Sequence, residues 1–445
     1  MAQKEQLQRS IGLTSALTTV MGTVIGGGVF FKISTLAAST MSPSLLLLIW
    51  VIAGFLTIAG GLCLAEIATA IPEAGGAVNY IEIAYGKLPS FLLGWAQVLI
   101  YYPANIAALS IVFATQLVSL LGWSSGLIIP IAIITAFSLT GLNLLGARLG
   151  SIVQNLTLII KLIPIIIIIV FGLINPHAQT LQLWPIHPGE QVSWLTALNG
   201  GLLAAMFAYD GWISVGNMAG EMKNPRKHLP IAIISGLGLT TLVYLFINLA
   251  FLKALPIGQL AGNTTAAADS ALAILGTFGG RLVTIGILVS VYGAINGYTM
   301  TGMRVAYAMG VNNTIPLAHH FRKTTPHTKV PLLASLVQLA VAVVMIFMGN
   351  FDFLTDMVVF VMWIFNTMIF GAVFILRKKY PDLERPYKVM GYPWIPIIAI
   401  IGGTFIVIST LFTQFSLAVL GIGITLLGIP CYYWQQRHDN EQDLN

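Results

Sequence analysis

Two apolar stretches of the chain contain groups that can bind an ion or a charged small molecule. The first has three consecutive glycines, Gly26, Gly27 and Gly28, and the second has the pair Asp210 and Gly211. Glycine costs about 1 kcal/mol relative to alanine inside a helix, so each place predicts a helix break. A break frees backbone groups, and the N–H groups at a helix start attract anions. We therefore predict that the glycine run binds a carboxylate and that carbonyls at both breaks bind an ammonium group.

Both breaks also have simpler interpretations. Consecutive glycines allow a neighbouring helix to approach closely, and Asp210 can act only as the cap of the half-helix that follows it. If Asp210 acts only as a cap, the break beside it still remains. The residues predicted to bind a ligand at them are Thr23, Val24, Ile25, Gly26, Gly27, Gly28, Phe207, Ala208, Tyr209 and Asp210.

The composition assigns both breaks to membrane-spanning helices. Of the 445 residues, 57% are hydrophobic and only 8% are charged, whereas an ordinary soluble domain is roughly 25% charged. Apolar runs such as residues 45–71 and 156–174 are near or above the roughly 18–20 residues that span hydrocarbon. A soluble protein is thereby excluded. Unpaired backbone is not tolerated against lipid, so the two breaks should face each other across a water-accessible cavity.

Hydropathy and chain breakers predict twelve membrane spans with both termini cytoplasmic. The spans are predicted at residues 13–38, 44–71, 88–120, 125–146, 149–174, 193–218, 229–255, 269–309, 329–348, 353–377, 392–413 and 415–435. Of the 21 Lys and Arg residues, only Lys32, Lys253 and Arg281 then lie near the outer side, and Lys161 lies within a span. This positive-inside asymmetry predicts the orientation in the plasma (inner) membrane and explains the net charge of +6 without nucleic-acid binding.

Breaks in the first and sixth spans predict an all-α transporter made of two inverted repeats. We predict an N-terminal tail at 1–12, helices 1–5 at 13–174, helices 6–10 at 193–377, two further helices at 392–435 and a C-terminal tail at 436–445. Cys63 and Cys431 lie in apolar spans, so we expect neither a disulfide framework nor a metal site, and no cofactor. Glu66, near the inner end of the second span, is expected to be solvated at the cytoplasmic interface.

Three segments resemble motifs of a known transporter family. They are residues 23–30 (Thr-Val-Ile-Gly-Gly-Gly-Val-Phe), 72–80 (Pro-Glu-Ala-Gly-Gly-Ala-Val-Asn-Tyr) and 220–225 (Gly-Glu-Met-Lys-Asn-Pro). Together they resemble the amino acid–polyamine–organocation superfamily, and within it the L-amino acid transporter family with its bacterial serine/threonine and alanine/serine/cysteine exchangers. The resemblance implies a five-plus-five inverted repeat followed by two helices.

The resemblance also implies roles for individual residues. It implies that the Gly27 and Gly28 amides bind a substrate carboxylate, and that carbonyls of Val24, Phe207 and Asp210 hold the ammonium group. It adds pocket-lining positions in the third and eighth spans, which are Asn105, Ala294 and Tyr298. An interhelical hydrogen bond for Asn105 and simple packing for Tyr298 are the alternatives.

Lys161 lies deep in the fifth span, where a cation is costly and therefore suggests function. Snorkelling of its long side chain to the interface is the simpler alternative. In sodium-coupled relatives of this fold an ion links spans 1 and 8, and the resemblance implies that Lys161 supplies a built-in cation instead. We predict that its ammonium group hydrogen-bonds the unwound part of span 1 and makes transport independent of sodium. The alternative, that Lys161 releases its proton during the cycle, stays open.

Two departures from the family pattern bear on partners and affinity. Animal members join a glycoprotein subunit through a cysteine in the loop between spans 3 and 4, and residues 120–126 contain none. No disulfide-linked heavy subunit is therefore expected. Gly27 stands where many relatives have a serine, which removes one hydroxyl from the predicted carboxylate site.

The predicted pocket favours small neutral L-amino acids. Asp210 is the only acidic side chain predicted near it, so a second cationic group would lack an obvious partner. Phe207, Tyr209 and Tyr298 are expected to crowd the cavity, which suits alanine, serine, threonine or cysteine. The predicted mechanism is exchange by alternating access.

Other functions are less favoured by the sequence. A proton-coupled amino acid uptake carrier on the same fold is the first alternative. An enzyme embedded in the bilayer is disfavoured because no His-Glu-x-x-His motif is present and the seven histidines are predicted to lie in loops or tails. A channel is disfavoured because the polar groups are too few to line a continuous pore.

Overall fold

The computed structural model describes residues 12–71, 76–175, 179–213 and 222–442, and the regular structure of these residues is helical. The helices are α1 (Leu13–Val24), α2 (Gly28–Thr40), α3 (Pro43–Ala70), α4 (Gly76–Tyr85), α5 (Lys87–Ala96), a π-helix (Gln97–Tyr101), α6 (Tyr102–Leu121), a 3₁₀ turn (Ser125–Leu127), α7 (Ile128–Leu144), α8 (Ala147–Ile160), α9 (Leu162–Leu173), α10 (Trp194–Ala208), α11 (Pro225–Ala254), α12 (Ile257–Leu260), α13 (Ala266–Val311), α14 (Ala318–Phe321), α15 (Leu332–Phe347), α16 (Phe351–Lys379), α17 (Trp394–Thr413), α18 (Phe415–Leu426) and α19 (Gly428–Gln442).

The apolar helices make this a multi-pass membrane protein. Among the described residues, eight helical segments are long and apolar enough to cross a membrane, and the pair α1 and α2, bent by 49°, makes a ninth. The apolar helices α9, α10 and α15 are shorter. Each of the twelve predicted spans contains one or two of these helices. The number of crossings and the inverted repeat stay predictions.

Some predicted features lie outside the described residues. They include the end of the sixth span beyond 213, parts of the second and third family motifs (72–75 and 220–221), and most of the N-terminal tail with Lys4 and Arg9.

The two broken segments lie side by side. Helix α2 packs along α10, and α1 packs on α11, which in turn packs on α3. A Cβ atom added to Gly28 would lie 2.8 Å from the Cα of Ala208, so α2 begins in direct contact with the end of α10. Helices α6 and α13 pack against each other, and α13 also contacts α2, α8 and α9. Both breaks are therefore surrounded by other helices, which is what membrane depth requires of unpaired backbone.

The prediction that Glu66 is solvated was wrong. Glu66 is 2% exposed and accepts two hydrogen bonds of 2.7 Å from the Arg377 guanidinium group. The Val389 amide adds a third bond at 2.7 Å. The end of α16 and the chain after it cover the end of α3, so the carboxylate binds donors that lie more than 300 residues away in sequence. Paired in this way, a buried carboxylate is tolerated.

Candidate functional site

The break between α1 and α2 exposes backbone amides to a cavity. Helix α1 ends with the bond from the Ile25 amide to the Met21 carbonyl at 2.8 Å, and the extended backbone at Ile25 stops it. Among the described residues, the Gly27 and Gly28 amides have no backbone acceptor, and both glycines line the cavity. The start of α2 therefore presents N–H groups to that space, as a helix N-terminus does for an anion.

The second break touches the first. Helix α10 ends at Ala208, and Gly211 follows with φ +100°, a conformation that residues with a side chain rarely adopt. A Cβ atom at Gly211 would lie 2.7 Å from the Thr23 carbonyl oxygen. Glycine is thus required here both by the backbone angle and by the close approach of the two breaks.

Tyr244 of α11 bridges the two breaks. Its buried hydroxyl lies 2.7 Å from the Ala208 carbonyl and 3.0 Å from the Val24 carbonyl, and it also lies against the Gly26 amide. The hydroxyl has a single proton, so the two carbonyls share one donor. The Phe207 carbonyl in turn accepts from the Asp210 amide at 3.2 Å. Two of the carbonyls predicted to bind ammonium are therefore already bonded, with one lone pair left on each.

The Asp210 carboxylate is held by two tyrosines. Its Oδ2 accepts from the Tyr101 hydroxyl at 2.5 Å and from the Tyr298 hydroxyl at 3.0 Å. Tyr101 is the last residue of the π-helix. Pro103 has no N–H group for the Leu99 carbonyl, which explains why the helix widens here. Three separate segments thereby converge on one carboxylate oxygen.

Lys161 binds the other end of the first break. Its ammonium group donates to the Gly22 carbonyl at 2.6 Å, and the residue is 9% exposed. Gly22 lies in the last turn of α1, where carbonyls lack a helical donor and the helix dipole is negative. Lys161 itself separates α8 from α9, and Pro164 leaves the Ile160 carbonyl without its helical N–H.

These groups surround a cavity of about 440 Å³. Eleven of the predicted site residues line it, namely Thr23, Val24, Gly26, Gly27, Gly28, Lys161, Phe207, Ala208, Asp210, Ala294 and Tyr298. The volume lies in the lower part of the range of roughly 300–1,000 Å³ for small-molecule sites. The wall has amides at one point and carbonyls and a carboxylate at others. This arrangement matches a small ligand that carries one negative and one positive group.

Comparison with known proteins agrees with this geometry. Residues 11–431 match the family model described as "Amino acid permease". The chain belongs to the amino acid permease family. It is 41% identical to Serine/threonine exchanger SteT of Bacillus subtilis (strain 168), over 97% of this chain and 98% of that protein. It is 30% identical to Large neutral amino acids transporter small subunit 2 of Homo sapiens, over 97% and 82% of the two chains. Cystine/glutamate transporter of Homo sapiens is 29% identical, over 97% and 86%.

Membership of the family confirms the resemblance found in the motifs. The permease is an amino acid transporter and not an enzyme, because its relatives are permeases and exchangers. The roles predicted for individual residues are not tested by these comparisons.

Three predicted residues of the permease do not line the cavity. Ile25 is 1% exposed and packs in the core, and the Tyr209 hydroxyl points to the Trp50 carbonyl at 3.2 Å and to Thr241 at 2.9 Å. Asn105 is fully buried and donates to the Tyr101 carbonyl at 2.8 Å, one helical turn away. This bond lies within one span, so it is neither the predicted contact with a ligand nor the interhelical hydrogen bond of the alternative.

Sequence reasoning also missed several residues of the cavity wall. Tyr101 and Tyr102 are the most consequential, and the tyrosine pair followed by proline in the middle of an apolar span was a usable signal. The others are Thr18, Thr19, Gly22, Leu109, Thr157, Gly211, Ser290, Gly293, Gly297, Met300 and Thr301. Hydroxyls on α1 give no such signal, because threonine also occurs on packed helix faces.

A second cavity connects the site of the permease to one face of the molecule. It has a volume of about 760 Å³ and shares the wall residues Tyr101, Tyr102, Asp210, Gly211 and Thr301 with the first. Its far wall carries exposed polar side chains, among them Lys87, Arg304 and Asn312. The site is therefore open on the side of these residues. Phe207, which lines the first cavity but not the second, is 5% exposed.

Proposed function

We propose that this permease is a sodium-independent exchanger of small neutral L-amino acids that works by alternating access. The observation that carries the proposal is the pair of helix breaks on one cavity wall. The Gly27 and Gly28 amides, which have no backbone acceptor among the described residues, would bind the substrate carboxylate. The remaining lone pairs at the Val24 and Phe207 carbonyls would accept from its ammonium group.

The cavity supports neutral substrates. Among the described residues, Asp210 is the only acidic side chain on its wall, and one of its oxygens already accepts from two tyrosines. A second cationic group on the substrate would compete for the other oxygen alone. Phe207, Tyr101 and Tyr298 limit the space beside it. We propose alanine, serine, threonine and cysteine as the substrate class, and the identity of 41% with a serine/threonine exchanger supports it.

The position of Lys161 supports sodium independence. Its ammonium group bonds the Gly22 carbonyl at 2.6 Å, beside Thr157 and Ser290 on the cavity wall. Carbonyl and hydroxyl oxygens are the ligands that an alkali cation would use, and an ammonium group bonded to the Gly22 carbonyl would place a fixed positive charge beside them without a bound ion. Lys161 would then take the part of the coupling ion in sodium-driven carriers of this fold.

The proposed topology has twelve crossings in the plasma membrane with both termini cytoplasmic. The exposed wall of the second cavity carries Lys87 and Arg304, and the positive-inside rule assigns that face to the cytoplasm. The conformation would then be open to the inside. The bundle with both breaks would rock against the other helices to open the outer side. We propose that the chain needs no cofactor, nucleic acid or disulfide-linked subunit.

Exchange is tested with the purified permease in proteoliposomes. Uptake of labelled serine in sodium-free buffer is expected to be several-fold faster into vesicles loaded with unlabelled serine than into empty ones. Equal rates in loaded and empty vesicles would refute exchange. Loading the vesicles with different unlabelled amino acids in turn then identifies the substrate class, because only transported amino acids accelerate uptake. Accumulation driven by a pH gradient into empty vesicles would favour proton-coupled uptake instead.

A further inference from the structure

A fully buried lysine that does not line the cavity contacts Phe207 of its wall. Lys32 of α2 is 0% exposed, and its ammonium group lies 5.3 Å from the centre of the Phe207 ring and 4.8 Å from that of Phe351. The two rings meet edge to face at 6.0 Å. Phe207 is also part of the cavity wall, so the lysine lies directly behind a residue of that wall.

The lysine is bound to the start of α16. Its ammonium group lies 2.9 Å from Asp352 Oδ1, 2.6 Å from Thr355 Oγ1 and 3.5 Å from Asp356 Oδ1. Thr35 of α2 adds a bond of 2.6 Å to the same Asp352 oxygen. The Asp352 side chain is 48% exposed, whereas that of Asp356 is 7% exposed. The cluster therefore runs from the buried back of Phe207 to water at the surface.

These bonds join two elements that alternating access must separate. Helix α2 packs closely on α10, which carries Phe207, and both belong to the broken segments of the site. Lys32 connects this pair to α16. We propose that Lys32, together with Asp352 and Asp356, is the latch of the outer gate: it holds α16 against α2 and keeps Phe207 over the cavity until the outer side opens. The inference rests on the proposed alternating-access mechanism.

An ion pair suits a gate better than an apolar contact does. Opened apolar surface meets water at a cost that grows with its area. Charged groups lose their partner on opening but regain hydration, so both gate positions are tolerated. Asp352 is already in partial contact with water, which gives the pair a route to hydration. The buried cation over two aromatic rings adds attraction only while the gate is closed.

The test measures access to the cavity from each side of the membrane. Cys431 is replaced by serine, buried Cys63 is kept, and Ala294→Cys on the cavity wall provides the thiol. A membrane-impermeant maleimide is added to the outside or the inside of oriented vesicles. In this background, Lys32→Met and Asp352→Asn are expected to raise labelling from the outside by about tenfold, the effect of losing one charge-assisted hydrogen bond. Labelling from the inside should fall.

Matched variants separate a latch from a general structural role. Lys253→Met removes another lysine near the outer side, whose ammonium group bonds the Leu173 carbonyl at 3.5 Å, and should leave labelling unchanged. Lys32→Arg keeps the cation and should label like the parent. Asp352→Asn, at a half-exposed position, keeps the test decisive if Lys32→Met does not fold. Outside labelling that stays at the parent level in Asp352→Asn and in any folded Lys32→Met would overturn the proposal. Labelling requires no substrate, so this result is independent of the exchange assay.

Discussion

The bond from Lys161 to the first break gives the sharpest test of the transport site. In Lys161→Met the side chain keeps most of its length and loses its charge. The structure has one charge-assisted bond of 2.6 Å from this ammonium group to the Gly22 carbonyl, in a site that is 9% exposed. Hydrogen bonds to charged groups are worth about 1.5–3 kcal/mol. Each 1.4 kcal/mol is a factor of ten, so exchange should fall by roughly ten- to a hundredfold.

The assay is counterflow of labelled serine in proteoliposomes over a range of substrate concentrations. The ligand is proposed to bind backbone groups at the helix break, and Lys161 only holds that backbone in place. The maximal rate should therefore fall more than the apparent affinity. Lys253→Met is the matched control, because its bond to the Leu173 carbonyl is long, at 3.5 Å, and lies away from the cavity. A Lys161→Met rate within twofold of the parent, at equal reconstitution, would refute the assigned role of this lysine.

Three further predictions concern the packing around the site. Gly211→Ala should destabilise the permease by more than about 1 kcal/mol and abolish exchange, because φ is +100° and a Cβ would lie 2.7 Å from the Thr23 carbonyl oxygen. The control Gly238→Ala, which has open space around the added Cβ, should change neither stability nor exchange. Tyr244→Phe removes the shared donor between the breaks, and counterflow should fall by about three- to tenfold while the protein still elutes as a folded species. Arg377→Met leaves Glu66 short of two bonds and should cost roughly 3 kcal/mol, measured as a lower melting temperature in detergent, and an unchanged value would contradict the pairing.

The sequence by itself determined where the helices break and that they lie in a membrane. Three glycines in a row and an Asp-Gly pair weaken a helix wherever they stand, because propensity is a property of the local backbone. The long apolar runs with few charges likewise indicated from the sequence alone that the helices lie in lipid. The first break is present in the structure at residues 25–27, and helix α10 ends at Ala208, two residues before Asp210. The charge at Lys161 was visible for the same local reason.

The tertiary structure decided which groups meet at the breaks. Nothing local indicates that Tyr101 reaches Asp210, that Tyr244 bridges the two breaks, or that Glu66 pairs with Arg377 rather than with water. The direction of a side chain around a buried helix depends on how that helix is rotated against its neighbours, and helices that are apolar all round carry no periodic signal of that rotation. Asn105 and Tyr209 were therefore assigned to the cavity, although packing turns them away from it.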